Sequence, residues 1–118
     1  MRTEKLMKKV VMTIAGSMFL LAGANAWAQG DAAAGKEKSA SCAACHGADG
    51  NSQAPNFPIL AGQHADYLVK ALEDYKSGTR KNAIMLGFAT ALSKKDREDL
   101  AAYFASQKSA LTIIELTQ

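Results

Sequence analysis

Residues 42–50 read CAACHGADG. This stretch holds both cysteines of the chain, Cys42 and Cys45, and one of its two histidines, His46, directly behind them. Two thiols three positions apart, followed at once by an imidazole, admit three chemistries. They are a disulfide or redox dithiol, a zinc site, or a pair of covalent tethers with the imidazole as a metal ligand. The choice depends on the compartment, and so on the N-terminus.

The chain opens MRTEKLMKKVVMTIAGSMFLLAGANAWAQG. Arg2, Lys5, Lys8 and Lys9 make a positive start, an apolar run covers residues 10–24, and Ala26 and Ala28 give the small-x-small pattern of a cleavage site. That is the layout of a secretory signal peptide, residues 1–28, cut after Ala28. The apolar run is short for a membrane span, which needs roughly 20 such residues; an uncleaved anchor is the competing reading. Cleavage leaves residues 29–118, one small domain. Four of the 14 basic residues and one of the 11 acidic ones leave with the leader, so the net charge of +3 belongs to the leader. No global basic field points to nucleic acid, and no acidic tail, low-complexity segment or internal repeat is present.

An exported chain favours oxidised thiols. Yet a Cys42–Cys45 disulfide would close a very short loop, where cross-linking gains least, and a thioredoxin-type dithiol expects a βαβ pattern that is missing here. Zinc usually takes four ligands in two separated pairs, and only His64 remains as a distant fourth. C-x-x-C-H is instead the attachment signature of c-type haem. On a helical turn, positions i, i+3 and i+4 share a face. Cys42 and Cys45 can each add to a haem vinyl group while His46 binds the iron, and the small Ala43 and Ala44 let the backbone lie close to the macrocycle. One covalently bound haem c is the reading. The modest aromatic set beyond the leader (Phe57, Tyr67, Tyr75, Phe88, Tyr103 and Phe104) fits a small domain whose core is completed by a large apolar group.

A second protein ligand on haem iron makes an electron carrier, whereas an open position makes a binder or catalyst. Beyond the leader, Met85 is the sole methionine and His64 the sole further histidine. Met85 lies in SGTRKNAIMLGFATALS, read as a connecting loop after a helix that Gly78 terminates. An apolar loop around a methionine suits a haem face, and a thioether ligand raises the potential. His64, between Gln63 and Asp66, reads as an exposed helix-start residue; ligation through it would lower the potential.

The remaining pattern is all-α. Three main helices are expected over residues 31–44, 64–77 and 94–107. Asp31 caps the first. Tyr67, Leu68, Ala71, Leu72 and Tyr75 give the second an apolar face. Ser93 and Asp96 form a capping box at the third, with Leu100, Ala101, Tyr103 and Phe104 buried. Between them GADGNSQAPNFPILAG, residues 47–62, is a turn-rich loop. Pro58, or else Pro55, offers its carbonyl to the ring N–H of His46, which would fix the imidazole. The apolar, β-branched tail, residues 108–118, packs on the domain or forms a short strand.

CAACHGADGNS, PNFPILAGQHADYL, YKSGTR, the lone Met85 and LSKKDREDLAAYFASQ together resemble the class I c-type cytochromes. The likeness is to the short single-haem bacterial type and to one half of the dihaem ones, and it spans residues 31–107. It implies a small cytochrome c fold of three main helices and loops around one haem. It also implies thioether links at Cys42 and Cys45, His46 and Met85 as axial iron ligands, and Pro58 as the proline that orients His46. Gly35 matches the glycine that lets the first and last helices cross closely, and Leu100 and Tyr103 match the facing residues of the last helix. Ser39 departs from the pattern, which often has an aromatic there.

The function implied is that of a periplasmic one-electron carrier rather than an enzyme. Its partners would be redox proteins: a quinol-oxidising complex, a terminal oxidase or reductase, or a dehydrogenase. The alternatives are a dedicated electron-transfer subunit of one dehydrogenase, and a haem sensor or peroxidase-like protein with a labile distal ligand. Lys76, Arg80, Lys81, Lys94, Lys95 and Arg97 flank Met85 and are read either as a positive rim that steers acidic partners or as an ordinary solvated face.

Overall fold

Asp31 starts the first helix as expected. Its side chain accepts from the backbone N–H groups of Ala33 and Ala34, at 2.8 and 3.2 Å, and α1 runs Ala32–Lys38. In the computed structural model, residues 30–111 are described; the expected leader and the last part of the tail, residues 112–118, lie outside the described residues. Four more helices follow: α2 Ala40–His46, α3 Ala65–Ser77, α4 Ala83–Thr90 and α5 Lys94–Ala105. The fold is all-helical, with no strand among the described residues.

Two features differ from the sequence reading. The expected helix over residues 31–44 is broken at Ser39, whose hydroxyl donates to the carbonyl of Lys36 at 2.7 Å and helps end α1. The chain re-enters helix as α2, which runs on to His46, so the whole C-x-x-C-H sits on one short helix. The segment around Met85, expected as a loop, is helix α4. Asn82 caps it, its side chain accepting from the Met85 N–H at 3.0 Å. That Asn-before-apolar-run signal was present in the sequence. The unbroken apolarity of AIMLGFAT hid the helical period, and Gly87 weakened the propensity.

The other elements follow from local chemistry. α3 ends at Gly78, which takes the left-handed conformation (φ 79°) that a side chain disfavours. α5 begins with a complete capping box: Ser93 Oγ accepts from the Asp96 N–H, and Asp96 accepts from the Ser93 N–H at 2.9 Å.

α1 lies across α5, and α3 packs on both α5 and α4. The α1–α5 crossing is close because Gly35 has no side chain. A Cβ built there would stand 2.0 Å from the Asp99 carbonyl oxygen and 2.8 Å from Tyr103 Cβ. Serine at position 39 is buried and leaves this crossing intact. Polar groups fasten it: Asp99, nearly inaccessible in α5, accepts from the Asp31 backbone N–H and from Lys38 Nζ, both at 2.7 Å, and pairs with Lys95. Lys38 also reaches Asp96 at 2.8 Å. These cations, Lys38 foremost, hold the Asp99 carboxyl well below the usual carboxylate range.

The core among the described residues is small. Leu68, Leu100, Ala101, Tyr103 and Phe104 form its buried cluster, with Cys42, Leu60, Val69 and Leu92 packed on it. The predicted stripe of α5 is therefore buried as expected. The apolar face of α3 behaves differently: only Leu68 is buried, and Tyr67, Ala71, Leu72 and Tyr75 line a cavity.

Candidate functional site

α2 carries the two thiols and the imidazole to one wall of that cavity, whose volume is about 420 Å3. Cys42, Cys45 and His46 line it together, as the i, i+3, i+4 spacing requires. Both cysteines are half-buried, and neither is part of a disulfide. Burial pushes the Cys42 thiol up from its ordinary pKa, with Ser41 working against that.

His46 is buried, and its Nδ1 lies 2.8 Å from the carbonyl oxygen of Pro58. A carbonyl only accepts, so Nδ1 carries a proton, and in the neutral ring it is Nε2 that offers a lone pair. Of the two prolines proposed for this role, Pro58 makes the bond. Phe57 and the imidazole meet in an edge-type arrangement, with centroids 6.2 Å apart and planes at 64°.

The loop that presents Pro58 is held at both ends. Leu60 and Ala61 donate to the carbonyl of Gly50, and Gly62 donates to that of Phe104 at the end of α5. Tyr103 Oη donates to the Ala48 carbonyl at 2.8 Å. Asn51 accepts from the Ala110 N–H and donates to the Lys108 carbonyl, at 2.7 and 2.9 Å. The start of the expected tail is thus packed against this loop. Asn51 and the Tyr103 hydroxyl were not singled out from the sequence, because nothing local marks a partner more than fifty positions away.

α4 brings Met85 to the same cavity, half-buried, beside Ile84 and Phe88. His64 stands elsewhere: it is exposed, it is the N-cap of α3, and it does not line the cavity. Tyr67, Ile84 and Phe88 are 49, 59 and 44 % exposed although they line the cavity, so a large apolar wall faces open space. Such a wall is costly unless an apolar group covers it.

Of the six cations flanking Met85, Arg97 is not on a rim. It is buried in α5 and donates to the Leu92 carbonyl at 3.1 Å. Lys76 also donates to that carbonyl, at 2.6 Å, and Lys94 and Lys95 pair along α5 with Glu98 and Asp99. Arg80, unforeseen as a site residue, lines the cavity.

An oriented imidazole, two thiols on its own helix and a thioether on a second helix converge on one apolar cavity, and all the elements are helical; this is the build of a class I c-type cytochrome. The chain belongs to the cytochrome c family, described as Cytochrome c, which matches residues 32–108. It is 59 % identical over 86 residues to a cytochrome c4 of Pseudomonas aeruginosa, an alignment covering 73 % of this chain and 43 % of that one. It is 48 % identical over 82 residues to cytochrome c-554(548) of Halomonas halodenitrificans, covering 67 % of this chain and 99 % of the relative. Among solved structures it is similar to reduced recombinant cytochrome c4 from Pseudomonas stutzeri, with a TM-score of 0.67 and 53 % identity over 70 % of this chain and 48 % of that one. The chain thus spans less than half the length of the cytochrome c4 relatives and nearly all of the Halomonas one.

The family carries covalently bound haem c with its iron. The residues present fit that group: an apolar cavity of cofactor size, a buried imidazole with one nitrogen engaged and the other free, and two thiols on the same wall.

Proposed function

We propose that this chain is a one-electron carrier between redox proteins, exported to the periplasm by its leader and built around a single haem. Cys42 and Cys45 would hold the haem through thioether links, His46 and Met85 would bind its iron, and the Pro58 carbonyl orients His46. When bound, the haem iron supplies the redox change. What the chain contributes is separable by residue. Pro58 keeps the His46 proton on Nδ1, which commits Nε2 to the metal and raises its basicity. Met85 offers a neutral, soft donor that suits both oxidation states and favours a high potential. Leu68, Leu100, Ala101 and Phe104 keep water from the buried side of the cavity, which limits the solvent rearrangement accompanying electron transfer.

One observation carries the reading: the His46–Pro58 bond lies in a cavity that the two thiols and Met85 also line. No helix among the described residues is long and apolar enough to cross a membrane, which is compatible with a mobile carrier once the leader is removed. The test is the near-infrared absorption of the oxidised, purified protein, where methionine sulfur on ferric iron gives a weak band. The band is expected in the wild type and should vanish in Met85→Ala, which should also bind CO when reduced. A wild type that lacks the band and binds CO rapidly would transfer the reading to the sensor or peroxidase class.

A further inference from the structure

The loop that presents Pro58 borders two spaces. Phe57, Pro58 and Ile59 line the cavity, and they also line a second, open groove of about 520 Å3. Ala54, Pro55 and Leu111 extend the apolar lining of that groove. Ser52 and Gln53 border it too, but their side chains are engaged within the loop. Ser52 Oγ lies 3.1 Å from the Ala54 carbonyl oxygen and accepts from the Ala54 N–H at 3.2 Å. Gln53 Nε2 donates to the Asn51 carbonyl at 3.1 Å. The two prolines have no backbone N–H to offer. A group that covers this groove must therefore be apolar.

The chain itself arrives at the rim. Asn51 holds both the Lys108 carbonyl and the Ala110 N–H, and the Leu111 N–H donates to Ser109 Oγ at 3.1 Å. Leu111 lines the groove and is nevertheless 69 % exposed. Residues 112–118 continue from it as TIIELTQ, with Ile113, Ile114 and Leu116 against one charge, Glu115. At full extension Ile113 and Ile114 lie at most about 7 and 11 Å from Leu111, so neither can leave the neighbourhood of the groove. A tether this short holds them there at an effective concentration on the order of millimolar, which favours the chain's own segment over a separate partner.

We propose that residues 112–118 dock in this groove as an intramolecular cover, with Ile113 and Ile114 laid against Phe57 and the two prolines. Apolar area that is otherwise open to water is then buried on both sides of the contact. The cover also acts on the site behind the loop. The Pro58 carbonyl holds His46 Nδ1, and Phe57 stands against the same imidazole. The apolar shell around a metal ligand sets its access to water and so the redox potential. Water kept off this side disfavours the more highly charged ferric state. The effect on potential rests on the haem reading above, whereas the docking itself does not.

The test uses the reduced holoprotein, a chain ending at Leu111, the double variant Ile113→Asp, Ile114→Asp, and Glu115→Gln as a control that changes the charge of the segment and leaves its apolar side chains. Nuclear Overhauser contacts should join the Ile113 or Ile114 methyls to the Phe57 ring or to Pro55. The Phe57 amide, which donates to the Ala54 carbonyl at 3.1 Å, should lose hydrogen-exchange protection in the shortened chain and in the double variant and keep it in Glu115→Gln. The midpoint potential should fall in the same two variants and hold in the control. Absence of those contacts, or equal Phe57 protection in the wild type and the shortened chain, would overturn the docking. Contacts seen only between differently labelled molecules in a mixed sample would overturn it in favour of a segment exchanged between two copies. Potentials that stay equal while the contacts are present would overturn the redox role. A wild type without haem absorption would instead overturn the function on which the potential shift rests.

Discussion

Replacing Gly35 by alanine tests whether the α1–α5 crossing is the clasp of this domain. The new Cβ would sit 2.0 Å from the Asp99 carbonyl oxygen, 2.6 Å from its carbon and 2.8 Å from Tyr103 Cβ. An ordinary carbon–oxygen contact is about 3.3 Å, so the helices must part by roughly 1 Å. The obstacle is mainly backbone, which cannot rotate away as a side-chain tip can. Overpacking of this kind costs about 1–3 kcal/mol, and a backbone clash argues for the upper end. Alanine returns about 1 kcal/mol through its helix preference. The net loss is about 2 kcal/mol, or a fall in Tm of roughly 8–16 °C for a domain of this size. Thermal unfolding of the holoprotein, followed by circular dichroism, reads it directly. Gly87 provides the counterpart: it is also helical, and a Cβ there meets nothing within 4 Å. Gly87→Ala should therefore stabilise by about 0.5–1 kcal/mol. The reasoning fails if Gly35→Ala melts with the wild type, or if Gly87→Ala loses as much as Gly35→Ala.

Asp99→Asn should weaken the same crossing in a pH-dependent way. With its native pKa depressed, Asp99 contributes its full charge-dependent stability above the ordinary carboxylate range near 4. That contribution drains away as pH falls toward the native value, so urea midpoints of wild type and variant should converge in strong acid; a pH-independent gap would mean that charge is not its source. Tyr103→Phe removes the donor to the carbonyl of the exposed Ala48 and should cost about 0.5–1.5 kcal/mol, measured by chemical denaturation. A Cys42→Ala, Cys45→Ala chain purified without haem should show no cooperative thermal transition, because the buried cluster among the described residues is too small alone; a sharp calorimetric peak would contradict this. If Arg80, Lys81 and the α5 lysines steer acidic redox partners, electron exchange should slow as ionic strength rises, and stopped-flow rates that stay flat with salt would remove that role.

The helical turn of the C-x-x-C-H motif and the His46–Pro58 bond could be read from sequence because their information is local. Three residues within one turn define the motif, and Pro58 lies twelve positions further on. The capping box of α5 and the Gly78 stop were legible for the same reason. What escaped reading depended on distance or on mixed signals. AIMLGFAT reads as a loop because its apolar residues show no helical stripe, although Asn82 marks the start of α4. The break at Ser39 was missed because a serine inside an alanine-rich run carries little propensity against helix. Arg97 counted as a rim cation because charge predicts exposure on average, while its position on the buried side of α5 is tertiary. Arg80 escaped because a lone arginine after a glycine turn looks like any solvated residue until Tyr67 and Tyr75 are seen beside it.

The clasp between Asp31 and Asp99 joins positions 68 apart in the chain. Closing a loop of that length carries a length-dependent entropy of about 3.7 kcal/mol, and the dependence is logarithmic. Adding about ten residues to the exposed connection at positions 78–82 would raise it by only about 0.1 kcal/mol. The ends of the domain are therefore under strict steric control at Gly35, while the span between them tolerates changes of length. Sequence drift and engineered insertions should concentrate in the α3–α4 connection and should be rare at the helix crossing.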